Sequence, residues 1–211
     1  MMTTLALMLL ASMAAAGAVQ VTLDPLSINQ AITIGQSRIE RDRVRFHAPY
    51  RLMVNRAPVD YIDVVTPFRR VALLAEWRTT IGDRSFGQRQ ARELMGSSES
   101  DIELWIEYTF HPQNTFVGVP GYDIALVQTG RTLMPRAVDL VPRHEPRLDK
   151  MPVPLNIPGG QPPPTSSPLL GGTAIAKFDV TSVNPNGVYD VVIADRGKEL
   201  ARARVDFAKL R

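Results

Sequence analysis

The sequence predicts a mainly β protein, an antiparallel two-layer β-sandwich with one or two short helices. Three observations lead there. From Asp101 to His111 apolar and polar residues alternate almost without error, which is the period of a strand. Further runs of Val, Ile, Tyr and Phe are separated by Asn, Pro, Gly and Asp at short intervals, as turns separate strands. The chain has no cysteine, yet 45% of its 211 residues are hydrophobic, enough to bury a core without covalent staples.

The first 18 residues read as a secretory signal peptide. Leu5 to Ala11 form a short uncharged apolar run, and cleavage after Ala16 or after Ala18 satisfies the small-x-small rule. No later stretch is long and apolar enough to span a bilayer, so the sequence predicts an exported protein, periplasmic or extracellular and soluble once the signal is removed.

Asp24 followed by Pro25 has the form of a helix start, and Ile28, Ala31, Ile32 and Gly35 carry that helix to its end. Residues 43–54 read as a strand bent at Pro49. The alternative is a helix continued through Arg38 and Asp42. Residues 59–65 and 71–77 are two β-type runs, and Pro67 between them predicts a hairpin. Residues 85–95 predict a short helix, with Ser85 and Gln88 in capping-box spacing and Gly96 as its stop.

In the strand beginning at Asp101, the inward set is Ile102, Leu104, Ile106, Tyr108 and Phe110. The outward, solvated set is Asp101, Glu103, Trp105, Glu107, Thr109 and His111. Residues 122–128 return, and 131–133 extend them. Between Pro135 and Pro168 prolines are too frequent for a regular element, and about 148–170 reads as an extended, proline-rich mobile loop. Residues 174–183, 188–194 and 199–207 read as a closing meander with turns at Asn186-Gly187 and Arg196-Gly197. Three strands are too few to fold alone, which favours one β-rich domain over residues 19–211. The alternative is a main domain over 19–147 and a small module over 173–211. The spacing of about seven or eight strands is of the immunoglobulin-like kind, without a Cys-Trp-Cys pattern.

Composition excludes more chemistry than it suggests. Thiol chemistry is absent with cysteine, and neither GxSxG nor SxxK occurs. The glycine pairs at 159–160 and 171–172 are not followed by a helix and lysine, as a phosphate loop requires. A net charge of +3, with no block of like charges, gives no nucleic-acid footprint. No cofactor is implied.

The candidate catalytic groups are Glu103 and Glu107, same-face acids about 7 Å apart, a spacing that glycosidase acid pairs also use, with His111 nearby. Solvated ladder pairing with Arg43 and Arg45, or with Arg202 and Arg204, is the stronger reading of those acids. His47 and His111 are the candidate metal ligands, Glu107 being a third if the strands are neighbours, although no ligand spacing links them. Trp105 offers a ring for stacking, or for burial under the 85–95 helix. The loop from Pro112 to Gly121 is the candidate contact surface, with Asn114, Phe116 and Val117 as its binding residues. The reading these features favour is a non-catalytic domain that binds an envelope protein or polymer. The alternative is a hydrolase of an envelope polymer that uses the strand carboxylates.

Overall fold

The computed structural model describes residues 18–20, 22–96, 100–144 and 169–211. The signal-peptide segment up to residue 17, and nearly all of the proline-rich 148–170 stretch, lie outside these residues.

The described residues are mainly β, with two antiparallel sheets and four α-helices. One sheet has five strands in the order β1-β2-β3-β7-β6: β1 (Arg51–Arg56), β2 (Val59–Val65), β3 (Asp101–Thr109), β6 (Ala137–Arg143) and β7 (Gly171–Asp179). The other has four in the order β5-β4-β8-β9: β4 (Asp123–Gln128), β5 (Arg131–Leu133), β8 (Val188–Asp195) and β9 (Lys198–Asp206). The core between them takes alternate residues from both inner faces, as strand geometry requires. Ile102, Leu104, Ile106 and Tyr108 come from β3, Ile124 and Leu126 from β4, and Tyr189, Val191 and Ile193 from β8.

A helical layer has its own core. α1 (Pro25–Gly35) is capped by Asp24, whose Oδ1 accepts from Ser27 N at 2.6 Å. α3 (Pro67–Thr80) is capped by Thr66, with Pro67 in the first turn, where its missing N–H is harmless. These two helices and α4 (Gln88–Met95) bury Ile28, Ile32, Phe68, Val71, Phe86 and Met95 against one another. Gly35 permits the close crossing, because a Cβ there would lie 2.2 Å from the Ala72 carbonyl oxygen and 2.7 Å from Ala75 Cβ.

Several expectations need correction. Residues 67–80 form a helix where a strand and hairpin were expected, because the Thr66 cap and Pro67 start a helix that Ala72, Leu73, Leu74 and Ala75 continue well. Residues 40–47 form the helix α2 (Glu40–His47), which matches the alternative weighed above, and the strand β1 begins only at Arg51. Residues 137–143 form the strand β6 despite Pro142, which is tolerated because β6 lies at a sheet edge. The helix at 88–95 packs on α1 and α3 rather than on a sheet. The strand at 123–128 does not return beside β3 but crosses to the other sheet and pairs with β8. The closing strands are not a meander, since β7 is inserted between β3 and β6 while β8 and β9 form a hairpin in the opposite sheet.

Candidate functional site

The candidate site residues fall into three places: the outer face of β3, the loop that follows it, and the end of α2, which carries His47. The outer face is the larger surprise. β3 is buried on both faces, with Asp101, Glu103 and Glu107 only 1%, 4% and 3% exposed. The expectation of a solvated outer face therefore fails, because α3 covers its middle and arginines from the β6 side cover Asp101 and Glu107. Leu73 packs against Val65, Trp105 and Ile175 on that face and carries the helical layer with it.

Each buried carboxylate is matched by a cation. Arg70 Nη2 lies 2.8 Å from Glu103 Oε2, and Trp105 Nε1 donates to the same oxygen at 2.8 Å. That ion pair is off the axis of a hydrogen bond, and Arg70 Nε and Nη2 have no hydrogen-bond partner among the described residues. Asp101 accepts from Arg136 Nε at 2.9 Å, which raises the guanidinium above its ordinary value. Glu107 accepts from Arg143 Nε at 3.2 Å and from the Thr173 hydroxyl at 2.8 Å. The cations thus come from α3, β6 and the residue before it, not from the expected Arg43, Arg45, Arg202 and Arg204. Arg202 instead pairs with Asp190 and Glu199 on the far sheet, and Arg43 with Glu76.

Trp105 is 6% exposed and lies under α3 rather than under the 85–95 helix, so its face is not available for stacking on a ligand. A charge relay crosses the same seam. Arg51 donates to Asp63, and Arg69 donates to Asp63 Oδ1 at 3.1 Å and to the Val64 carbonyl at 2.8 Å. Arg69 Nε donates to His47 Nδ1 at 3.3 Å, so the ring presents its other nitrogen, Nε2, to Glu76 at 3.1 Å. Burial pushes the Arg69 guanidinium down, against the attraction of Asp63. Burial also pushes the Glu76 carboxyl up, but hydrogen bonds from His47 and Arg43 outweigh it and hold the group below its ordinary value. The sequence signal for this relay was Thr66-Pro67 ahead of Arg69 and Arg70, a helix start that places both arginines in the first turns of α3.

His47 is thus held between Arg69 and Glu76, while His111 is exposed beyond the end of β3, where its Nδ1 accepts from Gln113 N at 3.2 Å. Among the described residues no group of three or more His, Asp or Glu side chains is placed to hold a metal ion.

The loop from Pro112 to Gly121 is shaped by Asn114. Its Nδ2 donates to the carbonyls of His111 at 2.6 Å and Leu169 at 2.7 Å, and its Oδ1 accepts from Phe116 N at 2.9 Å. Asn114 is therefore the staple of the loop more than its contact. Phe116 sets its ring edge against Phe110, with centroids 4.9 Å apart, and remains 43% exposed. Val117 is fully exposed. An anchored loop thus presents an exposed apolar tip.

Comparison with protein-family models, curated proteins and solved structures finds no match. Among the described residues no helix is long and apolar enough to cross a membrane.

Proposed function

We propose that this protein is an exported, non-catalytic β-sandwich of the cell envelope that binds an envelope component through the Pro112–Gly121 loop. The observation that carries the reading is the pairing of a fully exposed Val117 with a backbone fixed by Asn114. Exposing an apolar tip on a pre-ordered loop is unfavourable in isolation and favourable once a partner covers it. The acids that suggested hydrolysis support the same reading from the other side. Glu103 and Glu107 are each matched by an arginine under a packed face, the arrangement of structural ion pairs. Export rests on the apolar N-terminal run and the small residues that follow it.

An immunoglobulin-like architecture, expected from the strand spacing, is part of this proposal. The β3–β4 loop and two tight turns share one end of the sandwich, where such folds carry binding loops. The test is sedimentation of the full chain with isolated envelope material, comparing wild type with the Phe116→Ser, Val117→Ser double variant. Wild type should be retained and the variant released while still folded, its unfolding midpoint lowered only by the loss of the Phe116–Phe110 contact. Equal retention would remove this loop from the function.

A further inference from the structure

The helix α2 is attached to the molecule differently from its neighbours. α1 and α3 bury Ile28, Ile32, Phe68 and Val71 against each other, whereas no residue of α2 is buried. Its aliphatic side chains face water, with Ile39 at the N-cap 59% exposed and Val44 61% exposed. Of its apolar residues Phe46 alone turns inward, partly buried, its ring 5.4 Å from that of Tyr50 and 6.0 Å from that of Phe68. Ile39 gives the first turn no side-chain acceptor, so α2 also lacks the cap that α1 and α3 have.

The polar contacts of α2 converge on Glu76 of α3. Its Oε1 accepts from Arg43 Nε at 2.9 Å, and its Oε2 lies 3.1 Å from His47 Nε2. All three side chains keep some contact with solvent, where such pairs contribute little. The other link to a neighbouring element among the described residues runs from Arg69 Nε to His47 Nδ1, and at 3.3 Å it is long. Arg69 does not depend on it, being held by Asp63 and the Val64 carbonyl. On either side the α-helical backbone stops: Ser37 to Ile39 precede α2, and the 3₁₀ turn Ala48–Tyr50 follows it. Tyr50 itself stays fixed, its hydroxyl bonded to the Arg211 backbone.

A segment with few buried contacts opens before the whole molecule unfolds. We propose that α2 is a lid latched by Glu76, which opens between Ser37 and Tyr50 while the rest of the fold stays intact and so uncovers Phe68 and Arg69. With the lid closed those two residues are 0% and 3% exposed. Opening uncovers two aromatic rings in part and breaks one ion pair and two hydrogen bonds, far less than global unfolding gives up. Eight residues are too few for a stable helix in water, so the lid melts as it opens and its amides exchange. This inference does not use the Pro112–Gly121 loop, and either can fail without the other.

The test is amide hydrogen exchange on the full chain, comparing residues 44–48 with the buried amides of α3 and β3. After correction for intrinsic rates, exchange at 44–48 should be at least about hundredfold faster and uniform across the segment. Glu76→Gln keeps the size of the side chain and removes its charge. It should speed exchange at 44–48 about fivefold and leave α3 and β3 unchanged. Exchange at 44–48 no faster than in α3 and β3 would make α2 part of the core and overturn the proposal. A gradient of rates from one end would mean fraying in place of a lid, and unchanged exchange in Glu76→Gln would remove the latch; either result overturns it as well.

Discussion

Arg69 and Asp63 face each other across the seam between α3 and β2, Nη2 to Oδ1 at 3.1 Å, with side chains only 4% and 5% exposed. The helical layer is thus joined to the outer face of the five-stranded sheet by ion pairs as much as by apolar contact. That joint takes in Asp63 and Glu103, through Arg69 and Arg70, while Asp101 and Glu107 are held by Arg136 and Arg143 from the β6 side.

Breaking the joint from one side should be severe. Asp63→Ala leaves the Arg69 guanidinium buried without its carboxylate and should cost about 3–5 kcal/mol, read from denaturant midpoints. Replacing both partners, Asp63→Leu with Arg69→Met, should cost much less than the two single changes added together. Additive losses would show that the pair is not coupled.

Gly35→Ala should cost about 1–3 kcal/mol or more, since the new methyl meets the Ala72 backbone where α1 crosses α3. Thermal unfolding of the variant checks this. An unchanged midpoint would mean that the two helices separate freely.

Tyr108 predicts a pH dependence. Its hydroxyl is buried without a hydrogen-bond partner among the described residues, and burial pushes its pKa up. The folded state therefore holds the proton more tightly than the unfolded state. The stability this gives is fully present below the ordinary tyrosine pKa of about 10 and is lost progressively as pH rises above it. Tyr108→Phe should flatten the fall in unfolding free energy above about pH 10. At neutral pH it should be neutral or stabilising by about 1 kcal/mol, because an unpaired buried hydroxyl is removed. Tyr50→Phe should differ, since that hydroxyl accepts from Arg211 N at 3.1 Å and donates to its carbonyl at 3.2 Å. Its loss should cost about 1–2 kcal/mol.

Asn114→Ala should loosen the loop without unfolding the sandwich. Amide exchange at residues 115–118 should rise while β3 and β7 stay protected, because the bonds lost are those to His111 and Leu169. Exchange rising evenly across the molecule would instead make Asn114 part of the core.

Much of this fold was legible in the sequence, and what was missed has physical causes. The period of β3 gave its inward set correctly, and the turn at Arg196-Gly197 does close a hairpin. Pro67 fits a hairpin as well as a helix start because the Val71–Trp77 run contains residues at home in either element, and Thr66 as a cap is seen only in the structure. Alternation identified the two faces of β3 but could not say that a helix covers the polar one. Acids paired with arginine tolerate burial, so polarity along a strand does not guarantee contact with water. The loop was legible as irregular backbone, and its apolar tip lies where the sequence placed it. Its staple to Leu169 was not legible, because the two residues are 55 positions apart.

The most direct test of the account is a photo-crosslinking residue at position 117 of the full chain in cells, with position 131, also exposed, as control. The account predicts an envelope adduct from position 117 that is absent at 131 and lost when Asn114 is replaced by alanine. No adduct at 117, or the same adduct at both positions, would contradict the assignment of this loop as the contact surface.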